Sequence, residues 1–164
     1  ASCSLVFEAE EPEAGVMERP PRDPDQPLFS LKILGLSLLQ GFSVLAACLA
    51  VFLSARVSHA ADAARALTFA TLVVAILAVI LANRSWSKTM LGSLRLPNAA
   101  VWWVLAGTSL VLTAVLFVPQ VRALFHFAPV HPADLVWSLV AGAGCVVWFD
   151  LLKIVRRRRR AAAA

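Results

Sequence analysis

Four long apolar runs constrain this chain more than any other feature of its sequence. They cover residues 31–54, 66–82, 99–118 and 135–152, and none has a charged residue in its middle. A helix needs about 20 mainly apolar residues to cross a hydrocarbon core of roughly 30 Å. Buried strands are only about 4–8 residues long, and backbone polar groups in lipid must find internal partners. We therefore predict an all-α membrane protein with four transmembrane helices.

The composition of the chain indicates that lipid surrounds these runs. Of the 164 residues, 60% are hydrophobic and 15% are charged, and the mean hydropathy is +0.77. A soluble domain needs a polar surface and therefore carries more charge than this.

Residues 1–30 differ from the rest of the chain because they are acidic and rich in proline. Each proline lacks a backbone donor and restricts the residue before it, which excludes a continuous helix. We predict a proline-rich cytoplasmic linker here, a transmembrane domain over residues 31–155 and a basic cytoplasmic tail over residues 156–164. The first residue is Ala1 and the linker is unlike a signal peptide, so we expect another segment to precede it.

Basic residues predict the orientation of the chain. Four crossings put both ends and the connection after the second run on one side, which holds twelve of the fifteen Lys and Arg residues. The other side holds Arg56, Arg65 and Arg122. Positively charged loops stay in the cytoplasm, so we predict that both termini are cytoplasmic.

Five consecutive arginines follow the last apolar run. A basic cluster can bind nucleic acid, but next to a transmembrane helix it contacts anionic lipid, at about 1 kcal/mol per basic residue. We therefore predict membrane lipids as a partner and no nucleic acid. The predicted lipid- and topology-determining residues are Arg156, Arg157, Arg158, Arg159 and Arg160.

The interiors of the runs contain neutral polar residues only. Charged residues cost about 2.5–3.5 kcal/mol at a helix centre and mark ion paths where they occur. Gln40 is the most polar deep residue, and we interpret the hydroxyl residues as interhelical packing. We predict no transport site built by these four helices alone. The hydroxyl residues are Ser37, Ser43, Thr68, Thr71, Thr108, Ser109 and Thr113.

No motif in the chain predicts a catalytic, cofactor or metal site. The histidines have no partner at ligand spacing, whereas zinc sites need convergent ligands, and we interpret them as loop residues. The cysteines include no CxxC pair and are interpreted as small buried hydrophobes. These residues are His59, His126, His131, Cys3, Cys48 and Cys145.

Local signals in the last run concern helix packing. Residues 142–144 read Gly-Ala-Gly without a preceding strand, which excludes a nucleotide-binding loop. We predict a small-residue face that permits close helix approach there, and the same role for Gly35 and Gly41. Asp134 precedes the run and is the predicted N-cap.

The linker carries a family resemblance. Residues 17–28 read Met-Glu-Arg-Pro-Pro-Arg-Asp-Pro-Asp-Gln-Pro-Leu, which resembles the loop between the sixth and seventh helices of type II P-type ATPases, the calcium-pump group. Residues 65–69 are similar to the start of the eighth helix. Residues 94–98 are similar to the loop before the ninth, and residues 150–153 to the end of the tenth. The resemblance therefore covers the chain as helices seven to ten.

This resemblance implies the C-terminal membrane platform of a pump that couples ATP hydrolysis to cation transport through an aspartyl-phosphate. The platform supports the transport helices and is not catalytic alone. The pump would use ATP and Mg, but the Asp-Lys-Thr-Gly-Thr phosphorylation motif is absent from this chain, so we predict no cofactor within it. The implied partners are helices one to six and the cytoplasmic domains, in a bacterial plasma membrane.

The resemblance also identifies candidate contact residues and one departure from the family. The similar linker lies near the phosphorylation domain, which makes Glu8, Glu10, Arg19 and Arg22 candidate contacts, with a solvated loop as the alternative. Two-site calcium pumps use a glutamate in helix eight, where this chain has Val74. Calcium is therefore not specified.

Two other functions remain open from the sequence. The chain could be an independent four-helix membrane scaffold or accessory subunit. It could also be a small transporter, if oligomers built a site from Gln40 and the hydroxyl residues.

Overall fold

The computed structural model describes residues 31–84 and 99–161, together with the single residue Glu8. Within these ranges the chain forms six helices and no strand. The rest of the predicted linker lies outside the described residues. The backbone alone is described for Lys32, Lys153 and residues 156–161.

Four stretches of the structure are long and apolar enough to cross a membrane, which confirms the predicted all-α membrane fold. They are Ile33–Ser58, Ala61–Asn83, Ala99–Phe117 and Pro132–Leu152. The helices themselves are α1 (Leu31–Ser58), α2 (Ala61–Asn83), α3 (Ala99–Phe117), α4 (Pro119–Leu124), α5 (Pro132–Gly144) and α6 (Val147–Ala161).

Helix α2 lies at the centre of the bundle and packs most extensively against α5 and α1. Small side chains explain this position, because they let neighbouring helix backbones approach closely in lipid. Five alanines of α2 are completely buried, namely Ala64, Ala66, Ala70, Ala75 and Ala82.

Helices α1 and α3 run antiparallel to α2. At one end, Leu67 packs with Ala55 of α1, and at the other end Ile80 packs with Val101 of α3. We call the end where α1 stops and α2 starts the distal end, and the end where α2 stops the proximal end. This alternation is the one that four successive crossings require.

The connection between α3 and α5, which contains α4, folds back on α2 through contacts between aromatic rings. The ring of Phe69 lies 6.1 Å from that of Phe125 and 5.5 Å from that of Phe127, centroid to centroid. Between the two, His126 has φ 53°, a left-handed conformation that is uncommon for a side-chain-bearing residue. This turn lets both rings reach the same face of α2.

The fourth span starts and continues differently from its prediction. His131, not Asp134, is the N-cap, and its Nδ1 accepts from the backbone N–H of Ala133 at 3.4 Å. Pro132 fits the first helical position and starts the helix earlier, so the N-cap prediction was wrong. The span is also two helices, because a turn at residues 145–146 separates α5 from α6.

The turn between α5 and α6 contains local hydrogen bonds. The Cys145 thiol donates to the Gly142 carbonyl at 3.0 Å, and the Phe149 N–H donates to the Val146 carbonyl at 3.0 Å. The second bond spans three residues, a tighter spacing than in an α-helix. Two glycines just before the turn also lower the local helix propensity.

The structure agrees with the predicted close packing at one of the three glycines and not at the other two. A Cβ on Gly142 would lie 2.6 Å from the Thr71 carbonyl oxygen of α2, so the predicted close approach is confirmed. A Cβ on Gly35 or Gly41 would meet no described atom within 4 Å. Within residues 31–84 and 99–161, the prediction for these two glycines was therefore wrong.

Candidate functional site

The proximal half of α1 holds the most polar part of the bundle interior. Gln40 is only 7% exposed, and its Oε1 accepts from Nδ2 of Asn83, at the end of α2, at 3.0 Å. Its other amide atom, Nε2, is buried with no partner among the described residues. This amide pair joins α1 to α2 at the proximal end of α2.

One turn further along α1, a second hydrogen bond joins this helix to α6. The indole N–H of Trp148 donates to Oγ of Ser43 at 2.8 Å, and Ser43 donates in turn to the carbonyl of Leu39 at 2.9 Å. We call Gln40, Ser43, Asn83 and Trp148 the polar seam. All four side chains are neutral, so the seam can fix three helices relative to each other without carrying charge.

The sequence identified two members of the seam, Gln40 and Ser43, but not their partners. Trp148 lies near the end of an apolar run, a position typical of tryptophans at the membrane interface. The missed signal is the indole N–H, which usually finds an acceptor when it is buried.

Most of the remaining hydroxyls bond within their own helix. Thr68 donates to the carbonyl of Ala64 at 2.8 Å, and Thr71 donates to that of Leu67 at 2.9 Å. Thr113 and Ser138 repeat this pattern four residues back. Their donors are satisfied within the helix, which is compatible with the predicted packing role, and Thr71 is completely buried. Ser43 also accepts a hydrogen bond from Trp148 of another helix.

Histidines lie between the helices, as the sequence predicts. His59 follows α1, and its Nε2 lies 3.2 Å from Oδ2 of Asp134, in the first turn of α5. Sequence reasoning missed this pair because the two residues are far apart along the chain. Within residues 31–84 and 99–161, no three His, Cys, Asp or Glu residues are grouped as a metal site.

Val74 lies where the resemblance implies a glutamate in helix eight. Its side chain faces α5, since a Cβ built on Gly142 would lie 3.1 Å from the Cβ of Val74. Val74 also lines a small cavity of about 210 Å³ between α2, α3 and α5. This position therefore holds an apolar contact between helices and offers no oxygen ligand.

Exposed tryptophans lie near the ends of the spans. Trp102 and Trp103 are near the start of α3, and Trp137 is near the start of α5, all with exposed rings. Indoles favour the headgroup layer of a bilayer. Trp102 and Trp103 lie at the proximal end of the bundle and Trp137 at the distal end, as expected for residues of the two membrane interfaces.

The predicted contact and lipid residues remain predictions. Glu8 is exposed, while Glu10, Arg19 and Arg22 lie outside the described residues. The arginine block lies in the last turns of α6, where only the backbone is described.

Four apolar crossings with no Asp, Glu, His, Lys or Arg in their middle define a multi-pass membrane domain. The family described as "Cation transporting ATPase, C-terminus" matches residues 1–155. The chain therefore belongs to this family and is a membrane part of a P-type ATPase, which confirms the predicted resemblance. The calcium-transporting ATPase of Bacillus subtilis (strain 168) is 28% identical over 163 residues, covering 96% of this chain and 18% of the relative. The chain thus spans less than a fifth of that relative's length.

Proposed function

We propose that this chain is the membrane platform of an ATP-driven cation pump, and that it supports the transport helices without taking part in ion binding. The observation that carries this proposal is the composition of the four spans, which have no Asp, Glu, His, Lys or Arg in their middle. A cation in a membrane needs several oxygen ligands, and carboxylates usually supply the charge.

Close packing around α2 supports a static role. Completely buried alanines bring the helix backbones together, and the Gly142 contact leaves no room for a methyl group. Tightly packed interiors transmit force rather than deform. Such a bundle can anchor neighbouring helices that move during a transport cycle.

One face of α1 provides the contact surface in this proposal. Five large apolar side chains, spaced three or four residues apart, are 51–62% exposed on it. We propose that this stripe contacts the transport helices, and that ATP and Mg bind the cytoplasmic domains of the full-length pump. In this proposal Glu8, Glu10, Arg19 and Arg22 contact the phosphorylation domain. The stripe consists of Leu38, Phe42, Leu45, Leu49 and Leu53.

The platform role can be tested by the cation dependence of ATP hydrolysis. In the full-length protein, Gln40→Leu is expected to leave the cation concentration for half-maximal ATPase activity unchanged within about twofold, because a loss of about 1.4 kcal/mol at an ion site would shift it tenfold. Thr113→Val, which removes an exposed hydroxyl bonded within its own helix, is the matched control. A tenfold weakening confined to Gln40→Leu would place that residue in an ion site and refute the platform proposal.

The orientation of the chain is part of the same proposal, with both termini in the cytoplasm of a bacterium. Replacing Arg156 to Arg160 with glutamate is expected to move a fraction of C-termini across the membrane, since each basic residue contributes about 1 kcal/mol at the surface. This fraction can be measured with a C-terminal fusion to a fluorescent protein that fluoresces only in the cytoplasm, because its signal falls as C-termini cross the membrane. The same five positions changed to lysine should keep the wild-type signal. An unchanged signal in the glutamate variant would show that the earlier loops set the orientation alone.

A further inference from the structure

A groove of about 540 Å³ runs between α1 and α5 in the distal half of the bundle. We call it the distal groove. Its walls are mostly small or apolar, and a volume of this size lies within the range of about 300–1,000 Å³ that small-molecule sites occupy. The walls include Ala47, Ala50 and Ser54 of α1 and Trp137, Ser138 and Ala141 of α5.

The packing of the bundle explains why the groove exists. Helix α2 packs against both α1 and α5, and Leu67 of α2 lines the groove between them. Helices α1 and α5 therefore both pack against α2. The alanines and serines with which α1 and α5 face each other are too short to fill the space between these two helices. The opening is a property of the fold and needs no ligand to form it.

The depth of the groove matches one leaflet of a bilayer. From Ala47 to His59 the lining residues span about 18 Å, at about 1.5 Å per residue. Half of a hydrocarbon core of roughly 30 Å is about 15 Å. The groove thus reaches from the distal surface to near the midplane, as an acyl chain does.

A helix is too large for this space. The open volume of the groove, including its mouth, is about 1030 Å³. A helix about 10 Å wide and 18 Å long would occupy on the order of 1,400 Å³. Volume therefore favours a single extended chain over a helix of another subunit.

The mouth of the groove is its polar end. His59 and Asp134 meet there, with Nε2 and Oδ2 3.2 Å apart and each side chain one-third exposed. A carboxylate has about four acceptor sites, so Asp134 can accept further donors beside His59. A primary ammonium at the headgroup level supplies both the donors and the opposite charge.

We propose that the distal groove binds one acyl chain of a phospholipid from the adjacent leaflet, with a primary-amine headgroup bonded to Asp134. The site combines an apolar interior one leaflet deep with a polar mouth that holds the carboxylate of Asp134. It does not depend on the transport role proposed above, because fold and charge alone define it.

Photo-crosslinking of a labelled lipid tests this site. The full-length protein would be placed in phosphatidylcholine nanodiscs that contain a little phosphatidylethanolamine with a diazirine on its acyl chain. We expect cross-links in peptides that contain Ala50 or Ala141. Ala50→Leu fills the groove and should reduce these cross-links about tenfold, whereas Ala46→Leu, exposed on α1 outside the groove, should not.

Headgroup recognition needs a second pair of variants. Asp134→Asn should reduce the preference for the amine lipid over a phosphatidylcholine carrying the same label by about fivefold to tenfold, since a charge-assisted hydrogen bond is roughly twice as strong as a neutral one. Asp62→Asn, an exposed acid of the same end that pairs with Arg65, should keep the preference. Wild-type cross-links that avoid both groove helices, or equal capture of both lipids, would overturn the proposal.

Discussion

Replacing Gly142 with alanine is expected to lower the free energy of unfolding by about 1–3 kcal/mol, the usual cost of overpacking a tight interior. The added Cβ would lie 2.6 Å from the carbonyl oxygen of Thr71 and 3.2 Å from the backbone nitrogen of Ala75. Neither backbone atom can swing aside as a flexible side chain would, so α5 must move away from α2. The steric cost exceeds the gain in helix propensity, which is at most about 1 kcal/mol.

Gly144 provides the matched control for this prediction. It lies on the same helix, and a Cβ there would meet no described atom within 4 Å. Gly144→Ala should therefore be neutral or raise stability by up to about 1 kcal/mol. Thermal unfolding of the full-length protein in detergent would compare the two variants. Equal stabilities would contradict the close contact between α5 and α2.

Replacing Asn83 with leucine is expected to destabilise the bundle more than replacing its partner Gln40 with leucine. Asn83→Leu leaves both polar atoms of a buried amide without a protein partner among the described residues, a situation that costs about 1–3 kcal/mol. Gln40→Leu removes that amide altogether, including the Nε2 group that has no partner in the described ranges. The second change should be nearly neutral.

The same unfolding measurement reveals this asymmetry. Gln120→Leu, on the exposed face of α4, controls for a general effect of removing an amide. If Gln40→Leu proved the more harmful change, Gln40 would hold a partner that the seam lacks, and its assignment as a purely structural residue would fail.

The spans and the family could be read from the sequence because both depend on local information. Run length and absence of charge predict a crossing without knowledge of its neighbours, and the proline-rich linker carries a distinctive string. The contacts that shape the bundle depend on tertiary structure. Trp148 and Ser43 are 105 positions apart, and Gln40 and Asn83 are 43 apart.

Glycines of the apolar runs also show that packing contacts depend on tertiary structure and not on local sequence. Gly41 and Gly142 both lie in apolar runs, and only the second faces a helix backbone. The N-cap of the fourth span differs for another reason. The helix begins at Pro132 with His131 as its N-cap, and Asp134 in the first turn pairs with His59 instead.

The central claim is that four helices cross the membrane, which places the connection between α1 and α2 on the opposite side from the C-terminus. Thiol labelling of intact cells with an impermeant maleimide tests this most directly, in a variant whose native cysteines are replaced. With single cysteines at Ala60 and at Ala162, we predict labelling of the first from outside and of the second only after the membrane is opened. Labelling of both positions from the same side would contradict the account.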